Sequence, residues 1–72
     1  MNDWQDLANA IIDQAVKDYR AAAQELRWCP DSKRAAAMIR EVERFFHSPW
    51  YEQLTNVDGD FILNRLRKEV SK

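Results

Sequence analysis

The side chains able to do chemistry are few and far apart in the sequence. Cys29 is the only thiol and His47 the only imidazole. A nucleophile and base of that kind need a third group to orient the base and donors for an oxyanion, and neither is signalled here. His47 ends a helical stripe instead, where a cation favours the helix macrodipole. Asn56, Asp58 and Asp60 alternate oxygen ligands as a calcium loop does. However, Gly59 comes fourth where such a loop needs its glycine sixth, and the twelfth position is Arg67 where a bidentate Glu is required. A turn followed by a helix cap explains these residues more simply. With a single glycine no phosphate-cradling loop can form. No enzyme, cofactor or metal centre is expected.

Binding is the chemistry left. The stretch Glu43–Asp60 reads ERFFHSPWYEQLTNVDGD and holds half of the aromatic residues together with the only His and the only Gly. Phe45, Trp50, Leu54, Phe61 and Ile62 are expected to form a small core that pins the last helix to the second. Adjacent aromatics on a helix cannot share a face, so Phe46 or Tyr51, with Trp4 and Trp28, is expected to face outward as a contact patch. Tryptophan and tyrosine are the usual anchors of interfaces.

Charge adds a second cue. Residues 1–26 carry five acids and two bases, whereas residues 27–47 carry five bases and three acids. Lys33, Ala37, Arg40 and Arg44 fall on one helical face, and Arg65, Lys68 and Lys72 on another. An acidic first helix beside a basic second helix is one reading, and a basic strip for phosphates is the other. The formal net charge of −1 is far from that of a dedicated nucleic-acid binder. PWYEQL also offers little with which to read base edges.

These side chains must be positioned by helices. One Gly and two Pro in 72 residues leave little for tight turns, and Ala, Leu, Arg, Glu and Gln favour helix. Trp4, Leu7, Ala8, Ile11, Ala15, Tyr19, Ala22 and Leu26 recur at spacings of three and four, with Ile12 and Val16 widening the stripe. This predicts a helix over residues 3–27. WCPDSKR is a turn in which Asp31 or Ser32 caps a second helix over 32–47. Ser48-Pro49 starts a short helix over 49–54, and Asp58 caps a last one over 58–70. The fold expected is all-α and one domain, residues 1–72: a long helical hairpin with a short helix and a further helix packed on one end.

At this length a lone core supplies only about 3–5 kcal/mol, and the single cysteine permits no internal disulfide. Self-association through the long first helix is the expected remedy. No apolar run reaches the ~20 residues that span a bilayer, and MNDWQDL lacks a basic leader segment. No membrane association and a cytoplasmic setting follow.

AIIDQAVKDYRAAAQEL and REVERFFHSPWYEQLTNVDGDFILNRLRKE resemble a group of small helical proteins carried by prophages and mobile elements of Firmicutes. The resemblance spans roughly Ala10 to Val70 and is clearest at Glu43-Arg44-Phe45-Phe46, Trp50, Leu54-Thr55 and Asp58-Gly59. It carries no site residues with it. It implies an accessory protein acting inside a bacterial cell, where small helical proteins often block a host defence component. The expected function is therefore a non-enzymatic binding protein of a phage or mobile element. It would occupy a surface on a host or phage protein, as an anti-CRISPR does, through Trp28, Arg40, Arg44, Phe46, Trp50 and Tyr51. The rival readings are an oligomer that sequesters a nucleotide messenger and a nucleic-acid-associated regulator.

Overall fold

A computed structural model describes residues 3–70. Four helices follow one another: α1 (Asp3–Trp28), α2 (Lys33–Phe46), α3 (Pro49–Leu54) and α4 (Gly59–Val70). The all-α hairpin expected from the sequence is present, with boundaries shifted by one residue at most. Lys72, which the sequence groups with Arg65 and Lys68, lies outside the described residues.

The elements end where the local chemistry requires. Asp3 and Asp6 sit in the first turn of α1 and Arg27 in its last, matching the macrodipole at both ends. In the turn that follows, Ser32 is the cap: its Oγ accepts from the Ala35 backbone N–H at 3.2 Å. The same hydroxyl donates to Glu25 Oε2 at 2.5 Å, and Glu25 also pairs with Arg34. One carboxylate thus holds the closed end of the hairpin. Ser48 works similarly at α3, accepting from Tyr51 N–H at 3.2 Å and donating to the Phe45 carbonyl at 2.7 Å. Pro49 occupies the first turn of α3, where its missing N–H costs nothing. Asp58 Oδ1 accepts from Asp60 N–H at 3.0 Å and begins α4.

Small residues let α1 and its neighbours approach closely. Ala8, Ala22 and Ala35 are all buried. α2 runs back antiparallel along α1, and α4 lies in the groove between them, so that Glu69 near its end reaches Arg20 of α1. The molecule measures 42 × 20 × 19 Å with a radius of gyration of 12.9 Å, against about 11 Å for a compact chain of this length. It is a short rod whose length is that of α1, about 39 Å.

The core is Tyr19, Val42, Phe46, Tyr51, Leu63 and Leu66, flanked by half-buried Ile12, Val16, Met38, Ile39 and Phe45. This corrects the sequence reading of the aromatic stretch. Phe46 and Tyr51, expected among the contact residues, are 3% and 2% exposed. Phe61, expected inside, is 56% exposed, and Trp50, expected both in that small core and among the contact residues, is 45% exposed. Phe46 follows Ala35, Ile39 and Val42 at eleven, seven and four residues, so it continues the innermost line of α2. Tyr51 stacks edge-on against it, with ring centroids 5.2 Å apart. Leu63, Leu66 and Val70 follow Gly59 by four, seven and eleven residues, which turns Phe61 to the outside of α4.

Gly59 is what lets α4 close. A Cβ there would lie 2.1 Å from the Phe46 carbonyl oxygen and 3.0 Å from its carbon. Gly59→Ala therefore forces α4 off the end of α2. It should destabilise by about 2–3 kcal/mol, the upper part of the overpacking range, readable as a lowered denaturant midpoint at unchanged helical signature. Tyr51→Phe should do the opposite. The Tyr51 hydroxyl is buried with no hydrogen-bond partner, and burial together with the Asp58 carboxylate raises its pKa above 10.0. Replacing it should be neutral or stabilising by up to about 1 kcal/mol. Because the folded state holds this proton more tightly than the unfolded chain does, stability falls as pH rises beyond 10.0, the unperturbed value. Urea melts between pH 8 and 11 on both proteins should show a shallower alkaline decline in the variant; equal slopes would overturn this account.

Candidate interaction surface

The six residues expected to bind do not form one patch. Trp28 projects from the last residue of α1 and is 80% exposed. Trp50 lies at the other end, against Trp4, with ring centroids 6.2 Å apart in an edge-to-face arrangement. Trp4 and Trp28 are separated by 24 residues of one helix, or about 36 Å. Phe46 and Tyr51 are inside. Arg40 and Arg44 are exposed on the outer ridge of α2 with Lys33, as their spacing indicates, and none of the three has an ion-pair partner among the described residues.

The attraction expected between an acidic α1 and a basic α2 takes a small part in the ion pairs, most of which join α4 to the hairpin. Glu25–Arg34 is the α1–α2 ion pair among the described residues. Arg20 binds Glu69 through two nitrogens at 2.9 and 3.1 Å, and Arg67 reaches Glu43 at 2.8 Å. Both carboxylates hold their arginines above the ordinary guanidinium pKa through those hydrogen bonds. His47 contacts Asp60 across the α2–α4 junction. These pairs are half exposed and individually worth little. Their effect is to neutralise α4 against the hairpin while the α2 ridge stays positive.

Two sequence motifs are separated or used locally. Cys29 is exposed in the turn after α1, and the length of α2, about 21 Å, divides it from His47. Asp58 and Asp60 serve the start of α4, as a cap and as the partner of His47. Among the described residues no three His, Cys, Asp or Glu side chains converge to hold a metal ion, and no helix is long and apolar enough to cross a membrane.

What the structure does assemble is an apolar face on the side of the hairpin opposite α4. Trp4, Leu7, Ile11 and Ala15 follow one another at three and four residues along α1, and Leu7 is 52% exposed. Ile11 and Ala15 line a shallow groove with Met38, Val42 and Phe45 of α2. The charged residues lining it are Asp18 and Glu41, and Gln14 completes the rim. The Trp4–Trp50 pair closes the end of this face. On the sequence, Leu7, Ile11 and Ala15 belong to the apolar stripe of α1, whose spacing is that of a packed helix face. The signal that they are more than that was the width of the stripe: from Leu7 round to Val16 it covers about half the helix circumference, more than the ~100° a packed face requires.

Tryptophan is on average among the more buried residues, yet all three are exposed here, at 45%, 80% and 45% for Trp4, Trp28 and Trp50. The native protein should therefore emit near the wavelength of free tryptophan and be quenched strongly by acrylamide. A blue-shifted, protected emission would mean that this surface is covered in solution.

No protein-family model matches the chain, and no curated protein or solved structure matches it either.

Proposed function

We propose that this chain is a non-enzymatic binding protein of a phage or mobile element, acting inside the bacterial cell by covering a surface on a larger protein, in the manner of an anti-CRISPR. The observation that carries the reading is the Trp4–Trp50 pair with Leu7 beside it: two large aromatic rings, edge to face, each about half exposed. Aromatic anchors of this kind supply most of the free energy of a protein contact. Arg40 and Arg44, uncompensated on α2, supply charge that raises association rates more than final affinity.

The nucleotide-sequestering alternative draws less support, because Phe46 and Tyr51 are packed in the core and offer no face to a base beside Arg40 and Arg44. The basic ridge alone keeps nucleic acid as an outcome to be tested.

The test is affinity capture from bacterial lysate with tagged protein, with and without nuclease, using wild type, Trp50→Ala and Arg40→Glu/Arg44→Glu. A stoichiometric protein that survives nuclease and is bound at least about 10-fold more weakly by Trp50→Ala is expected, as for an interface hot spot. The double charge reversal should slow binding and remove most of its salt dependence. Capture that disappears with nuclease and falls steeply with salt would replace this reading with nucleic-acid binding.

A further inference from the structure

The hairpin of α1 and α2 is a layer with two sides. α4 covers one, and the groove of Ile11, Ala15, Met38, Val42 and Phe45 lies on the other. The groove is apolar along its floor and acidic at its rim, with Asp18 and Glu41. Glu41 has no ion-pair partner among the described residues, and Asp18 accepts from Gln14 at 2.9 Å. On the far side of the molecule the outer ridge of α4 has the converse character. Phe61 is 56% exposed, the Arg65 guanidinium lies 5.9 Å from its ring centroid, and Lys68 follows one turn later.

The two features also agree in register. In the groove, Ile11 and Phe45 form the apolar end, Glu41 stands one turn of α2 further along, and Asp18 closes the far end. From Ile11 to Asp18 is seven residues, about 10.5 Å. On α4, Phe61 comes first, Arg65 one turn on and Lys68 last, again seven residues and about 10.5 Å. A ridge laid into the groove with Phe61 against Ile11 and Phe45 brings Arg65 and Lys68 level with Glu41 and Asp18. It then runs parallel to α1, the direction in which the molecule's own α4 lies on the opposite side.

We propose that the α1–α2 groove is the docking site for α4 of a second copy of this chain, with Phe61 seated on the apolar floor and Arg65 between Glu41 and Asp18. Groove and ridge lie on opposite sides of the rod, so the contact is heterologous: each copy offers one groove and one ridge. Assembly then continues copy by copy, giving open chains or a ring rather than a closed two-fold dimer. The groove adjoins the Trp4–Trp50 corner on the same face, but the residues varied below, Glu41, Phe61 and Arg65, are not those varied to test partner binding, so the two readings can fail separately.

The test is sedimentation velocity on the wild type and single-site variants. Weight-average mass should rise with concentration between about 10 µM and 1 mM, the affinity range that so small a contact supports. Phe61→Ala, which removes the ridge, and Glu41→Arg, which reverses the groove, should each stay monomeric. Both positions are at the surface, and circular dichroism melts will confirm that the variants fold. Mixing those two variants is the decisive step. The Phe61→Ala copy keeps an intact groove and the Glu41→Arg copy an intact ridge, so together they should form a one-to-one dimer that grows no further. The double variant Glu41→Arg/Arg65→Glu should recover self-association. A wild type that is monomeric throughout, variants that associate as the wild type does, or a mixture that stays monomeric would each overturn the proposal.

Discussion

The approach of Gly59 to the Phe46 carbonyl is the constraint on which the rest of the molecule turns. A 2.1 Å gap between that oxygen and the place where a Cβ would stand means that α4 begins in contact with the backbone of α2. From there the register of α4 is fixed: Leu63 is fully buried, Leu66 nearly so, and Val70 meets α1. Phe46 and Tyr51 are held beneath this junction. The loop between α3 and α4 is short, so the junction also fixes where α3 lies and hence where Trp50 meets Trp4. A change of one backbone contact is thus felt at the neighbouring Trp4–Trp50 corner.

Polar interactions refine this arrangement without carrying it. The ion pairs of α4 with α1 and α2 are exposed enough for solvent to screen them. The caps contribute more per residue, since each satisfies a helix N–H that would otherwise go without a partner. Ser32 and Ser48 each serve twice, as acceptor for the helix they begin and as donor to the element before it. The chain makes its turns with two serines, two prolines and one glycine.

A core this small leaves large side chains without a place inside. Phe46, Tyr51, Leu63 and Leu66 fill the space where α2, α3 and α4 meet, and the tryptophans and Phe61 are left on the outside. An apolar face therefore remains uncovered beside α1 and α2. The two faces of the hairpin differ in kind. One is closed by α4 and charge-neutralised; the other is apolar, acid-rimmed and open.

The sequence by itself determined the helices. Period, caps and the rarity of Gly and Pro are local properties, and α1 to α4 lie where they place them. Composition determined that there is one thiol and one imidazole, and the fold sets them at opposite ends of α2. What only the tertiary structure decided is which member of each aromatic pair is inside. Phe45 and Phe46, and Trp50 and Tyr51, are adjacent, and helical spacing admits either; the choice follows from where Gly59 lets α4 seat itself. The same holds for Phe61, whose type suggests core but whose angle from Leu63 places it outside. Leu7 and Ile11 have the spacing of buried residues, yet with no third helix on that side of the hairpin Leu7 is exposed and Ile11 only half-buried. Burial is a property of what lies opposite, and a single strand of sequence carries no direct record of its neighbours.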